Sequence, residues 1–128
     1  MNYELTGDFP WGVLLVTDSR STEPIPSWAS RTEAVAAAAS ALVVRVQHAD
    51  EGPVHVRVVG ISPVASGELV FEGYLAIESG LLRVSDALGD NALEIPMSPG
   101  NHAIRVHSNS RAAATEVDLV LDDPGHLP

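Results

Sequence analysis

The stretch 68–86 constrains the fold of this chain more than any other part of its sequence. Apolar or small residues fall at every second position of its first half: Leu69, Phe71, Gly73, Leu75 and Ile77. A strand buried on one face gives this period, because successive side chains leave the pleat on opposite sides. Ser79 and Gly80 then provide a chain reversal, after which Leu82 and Val84 resume the alternation. The stretch therefore predicts a β-hairpin and an antiparallel β fold.

The rest of the chain repeats short strand patterns that are separated by turn residues. A second hairpin is predicted from Leu42–Gln47 and Val54–Val58, joined by the turn Asp50–Pro53. Ser30 and Glu33 form a capping pattern before an alanine-rich run, which predicts one short helix or helical turn near residues 30–40. About eight or nine strands with one brief helix predict an antiparallel β-sandwich, with an open barrel as the alternative. The length favours a single domain over residues 1–128.

The charge of the chain is its most unusual total. Seventeen acidic residues stand against seven basic ones, all of them arginine, and the formal net charge is −10. Such a surface repels phosphate, so we expect no direct binding of nucleic acid. An acidic surface instead speeds association with a basic protein, which is the partner we expect. Solubility alone is the alternative explanation of the charge.

The sequence gives no sign of export or membrane insertion. Glu4 and Asp8 stand where a signal peptide carries basic residues, and the longest apolar stretch, 34–44, is too short to cross a bilayer. The chain also lacks cysteine, which excludes disulfides and thiolate metal sites. We therefore expect a cytoplasmic protein without a membrane segment.

No pattern in the sequence favours catalysis or metal binding. The five histidines never occur as His-x-His or His-x-x-x-His, and His102 and His107 should point to opposite faces of one strand. There is no Gly-x-Ser-x-Gly motif, no glycine-rich phosphate loop and no lysine. We therefore predict no catalytic residue, no metal site and no cofactor.

Four arginines lie in the middle of predicted strands, opposite the core positions: Arg45, Arg57, Arg83 and Arg105. One interpretation is that they pair with carboxylates on neighbouring strands of a solvated face. The other is that this outer face docks a partner. Its acidic residues, and the predicted binding site, would then be Glu72, Glu78, Asp118 and Asp122.

Five segments of the chain follow a known order of strand patterns and turns: Pro26-Ser27-Trp28, Ala41–Val46, Phe71–Val84, Leu93–Pro96 and Pro99–Val106. Taken in this order, they resemble the competence protein ComJ family of small nuclease inhibitors. They span roughly residues 26 to 108 and match mostly in strand pattern and turn placement. His102 departs from the pattern, since an aromatic residue is expected after Gly100-Asn101. The family offers no short interaction motif, so no site residue is transferred.

The resemblance implies a protein that blocks a DNA-entry nuclease and does no chemistry. This agrees with the charge, because carboxylates can occupy a basic cleft where phosphates bind. We therefore expect a non-catalytic protein-binding module, an inhibitor or immunity-type partner of a nuclease or toxin. The alternative is a β-sandwich that binds a small molecule or carbohydrate, with Trp11, Trp28 or Tyr74 as a stacking platform. An enzyme, the third hypothesis, would need a pocket where a histidine and a carboxylate converge.

Overall fold

The computed structural model describes residues 2–30, 32–60 and 67–122. These residues form ten strands and two short 3-10 helices, Pro10–Gly12 and Ala49–Glu51. The strands are β1 (Asn2–Gly7), β2 (Val13–Asp18), β3 (Val35–Ala37), β4 (Ala41–Arg45), β5 (Val54–Val59), β6 (Glu68–Ile77), β7 (Leu81–Asp86), β8 (Ala92–Pro96), β9 (Gly100–Ser108) and β10 (Glu116–Leu121).

The strands build two five-stranded sheets. Sheet A has the order β1-β5-β10-β9-β6, and sheet B has the order β3-β4-β2-β7-β8. Neighbouring strands are antiparallel except for β5 and β10, which run parallel. The prediction of a mostly β, largely antiparallel fold is confirmed. The expected eight or nine strands are corrected to ten in the part of the chain that the structure describes.

Both sheets contribute to one hydrophobic core. Leu14 and Val16 of β2 belong to the same cluster of buried side chains as Val56 of β5 and Leu119 of β10. Phe9, in the loop after β1, is completely buried in this cluster. Burying a side chain of this size stabilises the fold by about 1.5–3 kcal/mol, so the shared core is the main source of stability.

Both predicted hairpins are wrong, because each pair of arms is divided between the two sheets. Strand β6 pairs with β9 in sheet A, whereas β7 pairs with β2 and β8 in sheet B. Likewise β4 lies in sheet B and β5 in sheet A. Alternation of apolar and polar residues shows only that one face of a strand is buried. The same alternation arises when the two arms pair with each other and when they lie in different sheets. The turn itself is as expected, with Gly80 at a φ of +76°.

The predicted helix near residues 30–40 is also wrong. The residues Val35–Ala37 form β3, with Ala36 opposite Val43 of β4. Glu33 accepts a hydrogen bond from the Ala29 amide at 3.0 Å, so a cap-like contact exists without a helix after it. A helix of only two turns gains little free energy beyond the cost of forming its first turn. The strand, in contrast, buries Val35 and Ala36. Tertiary burial therefore outweighs the helix propensity of the alanines.

Asp86 organises the turn between β7 and β8. Its carboxylate is buried and accepts hydrogen bonds from the amides of Leu88 at 2.8 Å, Gly89 at 2.5 Å and Asn91 at 2.9 Å. The Asn91 side chain donates a further bond at 2.9 Å. Burial acts to raise the pKa of Asp86, but the hydrogen bonds from Asn91, Leu88 and Gly89 outweigh it. The net result is a pKa below the ordinary value of 3.8.

Replacing Asp86 with asparagine should lower the free energy of unfolding at neutral pH by about 1–3 kcal/mol, since several turn amides lose a charged acceptor. A carboxyl group whose pKa is lower in the folded state than in the unfolded state stabilises the fold when the pH is above its unfolded-state pKa. This stabilisation is lost as the pH falls through the folded-state pKa. The gap between wild type and Asp86→Asn should therefore narrow as pH falls below about 4. Urea unfolding at several pH values measures it, and a gap that stays constant with pH would contradict this role.

Candidate functional site

Three of the four predicted binding carboxylates lie around the exposed side of β6. Glu72 and Glu78 are exposed, and Asp122, just after β10, is half-buried. Glu72, Asp122 and Tyr74 line one open groove of about 420 Å³ on the outer face of sheet A, and Tyr74 is 72% exposed. We call this region the β6 surface, and its members are Glu72, Tyr74, Ala76, Glu78, Arg105 and Asp122.

The fourth predicted residue, Asp118, is not presented to a partner. Its side chain is only 4% exposed. Arg57 of the neighbouring strand donates to both carboxylate oxygens, from Nε at 2.9 Å and from Nη2 at 2.5 Å. The hydrogen bonds and charge of Asp118 raise the pKa of Arg57 above its ordinary value. Asp118 and Arg57 therefore form a cross-strand ion pair that ties β10 to β5.

The other strand arginines are also placed beside opposite charge or an aromatic ring. Arg105 lies opposite Glu72 in the pairing of β9 with β6, and Arg83 lies opposite Glu94 in the pairing of β7 with β8. The guanidinium of Arg45 lies 4.1 Å from the centre of the Trp28 ring. Because Arg105 sits within it, the β6 surface has mixed rather than uniformly negative charge.

Trp28 anchors the loop that follows β2. Arg45 covers its ring, and the same guanidinium donates to the Glu33 carbonyl at 3.0 Å. The loop thereby lies over the outer side of β4, where Val43 and Ala41 are buried. Trp28 thus has a structural contact on its face, while Trp11 and Tyr74 remain exposed.

A second groove, of about 340 Å³, is lined in part by Asp18, Glu23 and Glu78. Two of these carboxylates hold the local backbone in place. Asp18 accepts from the hydroxyl of Ser79 and from its amide at 3.2 Å, and Glu23 accepts from the amide of Ser40 at 2.7 Å. Burial of Asp18 and the opposing hydrogen bonds from Ser79 leave its pKa lowered. These hydrogen bonds therefore stabilise the crossing between β6 and β7 and the turn between β3 and β4.

Sequence reasoning missed a further exposed surface, where three loops meet. It lies away from the crossing between β6 and β7. The loops are 7–12, 47–53 and 87–91, and we call them together the loop end. Trp11 is 68% exposed there, and Leu88 is 58% exposed. Trp11 has a φ of +62°, in the left-handed region that side chains other than glycine rarely adopt. The signal in the sequence was a tryptophan between Pro10 and Gly12 in a turn, which strand periodicity does not evaluate.

The loop end is held by backbone and side-chain contacts. The Asn91 side chain donates to the Asp8 carbonyl at 3.2 Å, which joins the first loop to the third. The Val46 amide donates to the Gly12 carbonyl at 3.0 Å, which joins the first loop to the residue directly before the second. A side chain at Gly12 would place its Cβ 2.7 Å from the Val46 carbonyl oxygen. Packing therefore fixes the backbone on which Trp11 stands.

The exposed charges of the loop end are acidic. Its three loops contain no arginine or lysine. The Arg83 guanidinium of β7 approaches Gly89, and His48 is exposed beside Gly12. The exposed carboxylates are those of Asp8, Asp50, Glu51 and Asp90.

The structure also locates the histidines. His102 is buried, with its ring nitrogens 2.6 Å from the carbonyl oxygens of Ser98 and Asp122, while His107 lies on the outer side of β9. The expected opposite placement is confirmed. His55 contacts Thr6 at 2.6 Å and Glu4 at 2.9 Å, on an exposed strand face outside both grooves.

Among residues 2–30, 32–60 and 67–122, no three His, Asp or Glu side chains are grouped so as to hold a metal ion. No helix within the described part of the chain has the length and apolar character needed to cross a bilayer.

Comparison with known proteins shows likeness in fold. The chain is similar to the crystal structure of ComJ from Bacillus subtilis, an inhibitor of the DNA-degrading activity of NucA. The TM-score is 0.71 at 14% identity, covering 96% of this chain and 95% of ComJ. It is also similar to the protein described as crocagin biosynthetic gene J, with a TM-score of 0.56 at 14% identity and 96% of each chain covered. No family model and no curated protein matches the sequence.

Replacing Arg57 with alanine should lower the free energy of unfolding by about 2–4 kcal/mol, because the buried Asp118 carboxylate would lose a bidentate partner. Removing the exposed Glu72 charge by Glu72→Gln, the matched control on the same sheet face, should change it by less than about 0.5 kcal/mol. Chemical denaturation measures both variants. Equal, small effects would contradict a structural role for the pair.

Proposed function

We propose that this chain is a non-catalytic protein-binding module that inhibits a DNA-degrading nuclease by covering its basic DNA-binding surface. The observation that carries the proposal is the fold shared with ComJ over 96% of the chain. The charge gives independent support, since a protein with a net charge of −10 is attracted to the basic surfaces on which nucleases hold DNA. As a cytoplasmic inhibitor or immunity-type partner, the chain would protect DNA within the cell.

The mechanism is occlusion. Exposed carboxylates take positions where the phosphates of DNA would lie, and the rigid two-sheet scaffold keeps them apart in a fixed arrangement. The partner's arginines and lysines then pair with these carboxylates instead of with DNA. No bond of the nuclease or of DNA is made or broken by the inhibitor.

Two surfaces of the scaffold qualify for this contact. The β6 surface contains three of the carboxylates predicted from the sequence, Glu72, Glu78 and Asp122, together with the exposed ring of Tyr74. The loop end contains four other carboxylates together with Trp11. Each combines acidic groups with one exposed aromatic residue, the residue type that most often carries binding energy at an interface.

The purified chain should inhibit digestion of linear DNA by NucA, and its affinity for NucA in the absence of DNA should fall at least about tenfold between low and moderate salt. The physical reason is that salt screens the charges that attract the two proteins. Gel-based digestion measures inhibition, and surface binding in a salt series measures affinity.

Measuring affinity without DNA serves as the control, because salt also weakens the binding of DNA to the nuclease. Absence of inhibition at low salt would contradict the proposed function. Inhibition with affinity independent of salt would contradict the electrostatic mechanism while leaving the protein-binding role intact.

A further inference from the structure

Trp11 is the least expected exposed side chain of this protein. An apolar ring that is 68% exposed gains nothing from the core, and its left-handed backbone costs stability that glycine at the same place would save. Phe9, two residues earlier, is completely buried and fixes the turn on the core. The fold therefore maintains Trp11 in a strained, outward position, as is typical of residues that contact a ligand.

The surroundings of Trp11 determine which kind of partner it fits. Asp50 and Glu51 are exposed on the second loop of the loop end, and Asp8 and Asp90 are exposed on the first and third. Leu88 adds a second exposed apolar side chain. The complementary surface is a positively charged protein face with an apolar pocket that accepts an indole ring.

The charge around Tyr74 is less favourable to the same partner. Arg105 lies opposite Glu72 on the adjacent strand, so the β6 surface presents a cation to an approaching basic protein. In the loop end, His48 is exposed. The guanidinium of Arg83, a residue of β7, lies beside Gly89 of the third loop. A basic partner thus meets four exposed carboxylates at the loop end, whereas the β6 surface has two exposed carboxylates and the half-buried Asp122.

We infer that the loop end, centred on Trp11, is the surface that docks the basic face of the nuclease. This inference rests on the proposed function and deepens it by naming the contact. The indole ring fills an apolar pocket of the partner, and Asp8, Asp50, Glu51 and Asp90 pair with the basic residues around that pocket.

The first test compares two exposed aromatic residues on the two rival surfaces. Trp11→Gly should weaken binding to NucA by at least about tenfold, as expected for a central aromatic contact. Its melting temperature should be equal to or above that of wild type, because glycine relieves the left-handed strain. Tyr74→Thr, which keeps a residue suited to a strand, should change binding less than about twofold.

The second test compares two changes of equal charge. Asp50→Asn with Glu51→Gln, and Glu72→Gln with Glu78→Gln, each remove two negative charges from exposed positions. The first pair should slow association with NucA several-fold at low salt, and the difference should disappear at high salt. The second pair should leave the association rate close to that of wild type, apart from a small effect of net charge.

The outcomes separate this inference from the proposed function. Weaker binding by Trp11→Gly with an unchanged or higher melting temperature supports the loop end. Loss of binding by Tyr74→Thr with full binding by Trp11→Gly overturns the loop end and leaves the nuclease-inhibitor function standing. Failure of the wild-type chain to bind NucA overturns both.

Discussion

The single core shared by sheets A and B is the constraint on which the rest of this structure depends. Each sheet turns one face inward, and side chains such as Leu14 of sheet B and Leu119 of sheet A are completely removed from water in the same cluster. The buried apolar side chains of both sheets are already used in this cluster. Binding is therefore left to the outer faces and to the loops at the two ends of the strands.

The acidic residues divide between this architecture and the surface. Asp18, Asp86 and Asp118 are buried and hold, respectively, the crossing after β6, the turn after β7 and the pairing of β5 with β10. Arg57 balances the charge of Asp118, whereas Asp18 and Asp86 keep their charge and are held in place by hydrogen bonds from neutral groups. The net charge alone therefore does not locate the acidic surface that a partner meets. The carboxylates of the proposed docking surface, Asp8, Asp50, Glu51 and Asp90, are exposed instead.

Much of the strand content was predictable because burial on one face imposes alternation, as in β6 and β5. The pairing of those strands was not, since alternation is the same for two arms of a hairpin and for two strands that face each other across a core. The residues Val35–Ala37 read as part of a helix because alanine favours one locally, and only the contact with β4 makes them a strand. His102 stands where an aromatic residue is expected from the family resemblance. It lies buried between the backbone carbonyls of Ser98 and Asp122, a placement that no sequence pattern indicates.

The candidate site was harder to predict than the fold. Strand periodicity placed Asp118 on an outer face correctly, but outer faces carry ion pairs as well as free charges, and Arg57 removes Asp118 from consideration. The sequence predicts Trp11 only as a stacking platform, because Phe9-Pro10-Trp11-Gly12 indicates a turn but not a left-handed backbone that turns the ring to solvent. Exposure and backbone conformation emerge only when the three loops are assembled.

Hydrogen exchange of the chain, measured with and without saturating NucA, tests the central claim most directly. The account predicts slower exchange of backbone amides in loops 7–12, 47–53 and 87–91 when the nuclease is bound, with residues 72–78 unchanged. Protection confined to residues 72–78, or no protection anywhere in the chain, would contradict it.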